Sequence, residues 1–141
     1  MKAPTFIDTG HILALVFKDD EYHDVAKSAA TSVTNALTTE AVLAEIGNAL
    51  SQIAWRQVAV DTIKDLRSDP DVEILSVDTS LFDRAFQLYS SRPDKEWSLT
   101  DCISFVVMQE RGMTEALTTD HHFQQAGFRA VLRELKSSVS R

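Results

Sequence analysis

The sequence predicts an α/β domain with three α/β/α layers and a mainly parallel sheet of four or five strands. Three observations support this prediction: short apolar runs recur along the chain, segments of helical periodicity separate them, and loop-forming residues mark the junctions. Strands that alternate with helices form βαβ units, in which the strands run parallel. Because ligands of parallel sheets bind outside the carboxyl ends of the strands, side chains directly after a strand are candidate functional residues.

The composition is that of an ordinary globular protein of one domain. The chain has 141 residues, of which 44% are hydrophobic and 25% are charged. We expect a single domain over residues 1–136 and a frayed tail over residues 137–141. No apolar run approaches the roughly 20 residues of a membrane span, and the first four residues lead directly into a strand-like segment without a signal-peptide layout. The single cysteine, Cys102, permits no internal disulfide and favours a reducing cytoplasm.

The first half of the chain contains two predicted strands. Thr5–Ile7 is a short apolar run that ends at Asp8, and Ala36–Thr39 is the second strand. Helical patterns over residues 11–17 and 22–32 lie between them. Asp8 therefore directly follows a strand, at the edge of the sheet where a site is expected.

Glu40 begins the clearest predicted helix, which spans residues 40–55. At about 100° per residue its apolar positions form one stripe, which consists of Val42, Leu43, Ile46, Ala49, Leu50 and Ile53. Glu45 lies at the edge of this stripe, whereas Glu40 points to the opposite side. The arithmetic thus predicts Glu45 at the boundary of the core and Glu40 in water.

The second half of the chain continues the alternation of helices and strands. Its predicted elements are a helix at 58–67, a strand at Val72–Leu75, a helix at 79–89 capped by Asp78, a buried helix at 98–112 and a strand at 115–118, with residues 128–132 as a fifth strand. The helix at 79–89 is expected to bury Leu81, Phe82, Ala85, Phe86 and Leu88. Asp120 follows the fourth strand, and Asp101 lies at the capping-box offset from Ser98.

Four acids emerge from these placements: Asp8, Glu45, Asp101 and Asp120. Each one taken alone has an ordinary interpretation as a helix cap or a solvated surface acid. Carboxylates at close range repel one another and hard cations prefer carboxylate oxygens, so a meeting of the four predicts a divalent metal between them. Phosphodiester hydrolysis uses such a site to generate hydroxide, orient the phosphate and stabilise the leaving oxygen.

Four segments in order carry a resemblance to a known family. They are Phe6-Ile7-Asp8-Thr9, Leu43-Ala44-Glu45-Ile46-Gly47-Asn48-Ala49-Leu50, Ser98-Leu99-Thr100-Asp101-Cys102-Ile103-Ser104 and Leu117-Thr118-Thr119-Asp120-His121-His122-Phe123. The chain resembles a PIN domain, the ribonuclease fold of VapC-type toxins in bacterial toxin–antitoxin pairs. The resemblance implies that Asp8, Glu45, Asp101 and Asp120 bind Mg²⁺ or Mn²⁺ and act on single-stranded or structured RNA. It also implies a homodimer and a cognate antitoxin that masks the site.

The roles expected under this resemblance differ among the acids. Asp8, Asp101 and Asp120 are expected to hold the metal directly or through water, and Glu45 to orient or deprotonate the attacking water. The hydroxyl groups of Thr9 and Thr118 are expected to hydrogen-bond these carboxylates.

Several other residues near these motifs have simpler interpretations. His121 and His122 should point about 100° apart on a helical turn, so we interpret them as substrate-contacting or surface residues rather than as two ligands of one ion. Trp97 either stacks on a base or packs before the buried helix, and the sequence leaves both open. We interpret the basic C-terminal stretch as a solvated face, with an RNA rim or an antitoxin contact as the alternative; it consists of Arg129, Arg133, Lys136 and Arg141.

Three other classes of protein share the features of a small α/β domain with acids at strand ends. A phosphoacceptor receiver requires paired acids after its first strand and a lysine after its last, whereas Thr9 and Gly10 follow Asp8 here and no lysine follows Thr119. An aspartyl phosphatase requires a second aspartate where Gly10 stands. A non-catalytic binding module with the same fold stays open, although the presence of all four acids disfavours it.

Overall fold

The computed structural model describes residues 3–139, which form a five-stranded sheet flanked by helices. Neighbouring strands are parallel in every pair, and the strand order is β3-β2-β1-β4-β5. The predicted three-layer α/β/α class is therefore confirmed. The elements in chain order are β1 (Thr5–Ile7), α1 (Thr9–Val16), α2 (His23–Ser32), β2 (Ala36–Thr39), α3 (Glu40–Ala49), α4 (Arg56–Ser68), β3 (Val72–Leu75), α5 (Thr79–Ser91), α6 (Leu99–Glu110), β4 (Glu115–Leu117), α7 (His122–Gln125), β5 (Arg129–Ala130) and α8 (Val131–Val139).

The central strand β1 brings distant parts of the chain to one edge of the sheet. Phe6 pairs with Leu37 of β2 on one side and with Ala116 of β4 on the other. Beyond the ends of these strands, the Asp8 amide donates to the Leu117 carbonyl at 3.1 Å. Because parallel strands end at the same edge, the residues after β1 and after β4 become neighbours.

Helix α6 forms the centre of the hydrophobic core. All its residues from 101 to 108 are buried, as expected for a helix that is apolar nearly all round. The Phe105 ring packs edge-on against Trp97 at a centroid distance of 5.1 Å and against Phe123 at 4.9 Å. Trp97 is only 6% exposed, and its indole N–H donates to Gln125 Oε1 at 2.9 Å. Trp97 is thus a packing residue, which decides between the two interpretations that the sequence left open.

The start of α6 is set by the predicted capping box. The Asp101 amide donates to Ser98 Oγ at 3.0 Å, and the Ser98 amide donates to Asp101 Oδ2 at 3.1 Å. These two bonds satisfy donors that a helix N-terminus leaves unpaired. They also hold the Asp101 carboxylate at a defined place at the edge of the sheet.

The predicted helix over residues 40–55 is two helices, because α3 ends at Ala49 and α4 begins at Arg56. Ile53 lies between them and is 97% exposed, so its assignment to the apolar stripe is wrong. The break lets the chain turn back, and Trp55 then packs edge-on against Phe17 at a centroid distance of 4.8 Å. Ala49, the last residue of α3, is exposed as well, so its assignment to the stripe is also wrong. The stripe arithmetic assumed a continuous helix, whereas α3 ends at this residue.

Helix α5 buries one face and exposes another that is also apolar. Leu81 and Ala85 are buried as expected, but Phe82 and Phe86 are 42% and 52% exposed, so their assignment to the core is wrong. The Phe82, Phe86 and Tyr89 rings stack along the outside, with centroids 6.5 and 6.4 Å apart. Two apolar stripes side by side give no local indication of which one faces the core.

The C-terminal part of the chain ends in a short strand and a helix. Strand β5 spans two residues, and α8 begins directly after it, so the fifth strand is shorter than the expected residues 128–132. Helix α8 reaches Val139 and includes part of the expected tail at 137–141, while positions 140 and 141, like 1 and 2, lie outside the described residues. Among residues 3–139, no helix is long and apolar enough to cross a membrane.

Candidate active site

The four acids predicted from the sequence line one cleft at the carboxyl edge of the sheet. Asp8 follows β1, Glu45 lies on α3, Asp101 lies in the first turn of α6, and Asp120 lies in the loop after β4. The cleft measures about 310 Å³ and is lined by Asp8, Thr9, Gly10, Leu13, Glu45, Glu96, Ser98, Asp101, Thr119, Asp120 and His122. The carboxylate of Glu40 lies elsewhere, where it accepts a hydrogen bond from the Val77 amide at 3.1 Å. The structure therefore brings together acids that are more than a hundred positions apart in the chain.

Asp8 is an almost fully buried member of this group. Its Oδ2 accepts a hydrogen bond from the Thr118 hydroxyl at 2.7 Å, and the residue is 6% exposed. Burial raises the pKa of Asp8 to about 7; the Thr118 hydrogen bond opposes this rise, and the charges of Asp101 and Glu45 add to it. The ionised form of Asp8 is thus poorly stabilised by the protein alone, and a cation in the cleft would stabilise it.

His122 bridges two of the acids. Its Nδ1 lies 3.0 Å from Asp101 Oδ2 and 3.3 Å from Asp120 Oδ2, and its amide donates to Asp120 Oδ1 at 2.8 Å. Burial raises the pKa of Asp101; the Ser98 amide and His122 oppose this rise, and the charge of Asp120 adds to it. His122 thereby holds Asp101 and Asp120 close together.

Sequence reasoning missed both His122 and Glu96 as residues of the cleft. One pattern in the sequence could have indicated that His122 lies near Asp120. The two residues have the i, i+2 spacing of an Asx turn, in which an aspartate side chain accepts the amide two residues later. The expected divergence of His121 and His122 is wrong, since their ring centroids lie 4.5 Å apart. His121 precedes α7 with helical backbone angles, so the approach of the two rings comes from their side-chain orientations. Asp120, His121 and His122 present potential ligand atoms within 4.8 Å of one another.

Of the two threonines expected to hydrogen-bond the carboxylates, Thr118 does so, whereas the expectation for Thr9 is wrong. The Thr118 hydroxyl donates to Asp8 and accepts from the Asp120 amide at 3.0 Å, so it links the ends of β1 and β4. Within residues 3–139 the buried Thr9 hydroxyl has no hydrogen-bond partner, although Thr9 lines the cleft. A buried hydroxyl without a partner is unfavourable.

This set of donors fits a hard divalent cation. Mg²⁺ and similar ions bind a few carboxylates and retain several waters, which need further polar partners. The cleft supplies converging carboxylates, among them Asp8, whose buried ionised form lacks a counter-charge.

Gly10 allows helix α1 to approach the loop that carries Asp120. A Cβ atom at this position would lie 2.5 Å from Thr119 Oγ1, closer than unbonded atoms approach. Gly10 is part of α1 itself, so this helix begins two residues before the predicted range of 11–17. Its function is to permit this contact, which closes one side of the cleft.

A parallel α/β/α domain whose acids converge on a site suited to a divalent cation defines a nuclease-like class of protein. The family model of the PIN domain matches residues 5–129, and the chain belongs to this family. The resemblance seen in the sequence motifs is thereby confirmed.

Similar proteins have been characterised in Mycobacterium tuberculosis. The chain is 29% identical over 124 residues to the 23S rRNA-specific endonuclease VapC20 of strain CDC 1551 / Oshkosh, and equally to that of strain ATCC 25618 / H37Rv. Each alignment covers 87% of this chain and 94% of the relative. The crystal structure of M. tuberculosis VapC20, a sarcin–ricin loop cleaving toxin, superposes on this structure with a TM-score of 0.82 at 28% sequence identity. The superposition covers 89% of this chain and 97% of the VapC20 chain.

Proposed function

We propose that this protein is a metal-dependent endoribonuclease of the VapC type and the toxin of a toxin–antitoxin pair. The observation that carries the proposal is the convergence of Asp8, Glu45, Asp101 and Asp120 in one cleft. The names of the relatives support RNA as the substrate, and they make the sarcin–ricin loop of 23S rRNA the first RNA to test.

In the proposed reaction, water attacks a phosphodiester phosphorus and one P–O bond of the RNA breaks. Asp8, Asp101 and Asp120 would hold Mg²⁺ or Mn²⁺, which when bound activates water and offsets phosphate charge. Glu45, half-buried on the wall of the cleft, orients the attacking water or accepts its proton. Thr118 holds Asp8 in place, and His122 does the same for Asp101 and Asp120.

The cleavage experiment compares the protein with an Asp101→Asn variant on a mixed RNA panel that includes the sarcin–ricin loop. We expect cleavage with Mn²⁺ or Mg²⁺, none with EDTA, and a loss of at least about 10²-fold in the variant. An asparagine oxygen can still accept the Ser98 amide, so the capping box and the fold should persist. RNA binding without metal-dependent cleavage would favour the non-catalytic binding module instead.

Glu45→Gln is expected to lower kcat by about 10²-fold, whereas Glu40→Gln should leave kcat unchanged. Both residues lie on α3, but only Glu45 lines the cleft. The Glu40 carboxylate accepts a hydrogen bond from the Val77 amide, and a glutamine oxygen can accept the same bond. Steady-state cleavage at saturating metal measures the difference, and thermal unfolding checks that both variants are folded. Equal losses in the two variants would remove Glu45 from the mechanism.

The family relationship also supports a cognate antitoxin, a homodimer and a cytoplasmic location as parts of the proposal. Co-expression with the product of the adjacent reading frame should suppress growth inhibition by this protein, and analytical ultracentrifugation should give the mass of a dimer. A failure to suppress, or a monomer at micromolar concentration, would contradict the corresponding part.

A further inference from the structure

Helix α8 adds a groove with two basic side chains next to the acidic cleft. The helix spans Val131–Val139 and thus lies beyond residue 129, where the match to the family model ends. Leu132 is fully buried and anchors α8 to the body of the protein. The groove measures about 550 Å³ and is lined by Tyr22, Gln124, Arg133, Glu134, Lys136, Ser137 and Ser138.

Arg133 is held in this groove by neutral groups. Its Nη1 donates to the Thr119 carbonyl at 3.2 Å and contacts the Tyr22 hydroxyl at 3.5 Å. Within residues 3–139, four other arginines instead pair with carboxylates, namely Arg84, Arg92, Arg111 and Arg129. The charge of the half-buried Arg133 is therefore available to an anion from outside the protein.

Lys136 lies on the same side of α8 and lines the same groove. Its Nζ donates to the Glu21 carbonyl at 3.2 Å and lies 5.5 Å from the centroid of the Tyr22 ring. Glu134 is the acid that lines the groove, and Arg129 contacts its carboxylate at 3.3 Å. This ion pair offsets the negative charge of Glu134 and removes Arg129 from the basic face that the sequence indicated.

Thr119 connects the basic groove to the acidic cleft. The Thr119 carbonyl accepts a hydrogen bond from Arg133. Thr119 also lines the cleft, directly before Asp120 in the chain. The cleft carries five acids in a chain of net charge −7, so a polyanion approaching it is repelled. Positive side chains at the rim oppose this repulsion where the strand enters or leaves the site.

We propose that Arg133 and Lys136 bind phosphate groups of the RNA strand beside the bond that is cut in the acidic cleft. This inference rests on the proposed ribonuclease function. The guanidinium presents a fork of donors that matches a phosphate, and the ammonium acts as a mobile point charge. Contacts of this kind position the strand without reading its bases, so they should act on different RNA sequences alike.

The test compares Arg133→Gln/Lys136→Gln with the control Arg84→Gln, all in the Asp101→Asn background so that RNA stays intact. Arg84 lies on α5, pairs with Glu110 and lines neither the groove nor the cleft. Fluorescence anisotropy with Mg²⁺ measures the affinity for a sarcin–ricin stem–loop and for oligouridylate over a series of salt concentrations. We expect the double variant to bind both RNAs about tenfold more weakly, with a salt slope smaller by about 0.7 for each charge removed. The Arg84→Gln control should change neither the affinity nor the salt slope.

Cleavage kinetics provide the second readout. With Asp101 restored, the double variant should show a raised KM and a kcat within about twofold of the parent, because the lost contacts lie outside the reacting groups. Arg133→Lys keeps the charge and should keep the salt slope.

Two outcomes would overturn this inference while wild-type protein still cleaves RNA. One is unchanged affinity and salt slope in the double variant. The other is weaker RNA binding by both Arg133→Gln and Arg133→Lys with an unchanged salt slope. This result would mean that Arg133 only supports the Thr119 loop through its hydrogen bond and does not contact phosphate. Absence of metal-dependent cleavage by the wild-type protein would instead contradict the proposed function itself.

Discussion

Replacing Asp8 with asparagine is expected to remove RNA cleavage and at the same time to stabilise the metal-free protein. The loss of activity should be at least about 10²-fold, because the variant lacks one of the charges that hold the cation. The gain in stability follows from burial: Asp8 is 6% exposed, and the charges of Asp101 and Glu45 act on it. An amide of the same shape needs no counter-charge there and can still accept the Thr118 hydroxyl.

The stabilisation should depend on pH in a defined direction. The pKa of Asp8 is raised from 3.8 to about 7, so between these values the folded protein retains a proton that the unfolded chain releases. The Asp8 contribution to the free energy of unfolding therefore falls as pH rises through this window and is constant above it. The advantage of Asp8→Asn should grow from near zero at about pH 4 to on the order of a few kcal/mol above pH 7.

Urea denaturation in EDTA at several pH values between these limits measures this difference. Asp83→Asn is a suitable control, because Asp83 is exposed on α5 and does not line the cleft. Adding Mn²⁺ should stabilise the wild-type protein and narrow its gap to Asp8→Asn, since the ion binds the folded state. If the difference in the free energy of unfolding between wild type and Asp8→Asn were the same at every pH, the raised pKa of the buried Asp8 would be contradicted.

Phe123→Ala is expected to lower the free energy of unfolding by about 3–5 kcal/mol. Phe123 is fully buried, and its ring lies 4.9 Å from the Phe105 ring and 6.3 Å from the Phe6 ring, measured between centroids. It therefore connects α6 and β1 to the segment that carries Asp120 and His122. Removing the ring should leave a cavity and also loosen these two site residues, so RNA cleavage should fall as well.

The matched control for this prediction is Phe86→Ala on α5. Phe86 is 52% exposed, so its truncation should cost less than about 1 kcal/mol. Chemical denaturation of both variants measures the two costs, and Phe123→Leu, which keeps part of the volume, should fall between them. If Phe123→Ala and Phe86→Ala lowered the free energy of unfolding by similar amounts, this would contradict the role of Phe123 in packing the segment with Asp120 and His122 against the core.

Local patterns predicted most of the framework of the site. The strands Thr5–Ile7, Ala36–Thr39 and Val72–Leu75 have the predicted bounds, and the capping box at Ser98 forms with both hydrogen bonds. These features depend on residues close together in the chain, where apolar spacing and cap chemistry act directly. The rule that parallel strands end at one edge of the sheet accounts for the meeting of Asp8 and Asp120, which follow β1 and β4. Asp101 on α6 and Glu45 on α3 reach the same cleft only through the tertiary packing of these helices.

The sequence by itself therefore determined the strands, most of the helices up to β4, and the acids Asp8, Asp101 and Asp120 at the ends of elements, whereas α7 and α8 were not predicted. The tertiary structure alone decided that Ile53, Phe82 and Phe86 face outward, that His122 lies between Asp101 and Asp120, and that Arg133 reaches the Thr119 carbonyl. The physical reason is that periodicity records which residues share a face of one element. Burial and side-chain contacts depend on which distant element covers that face, and this information is not local.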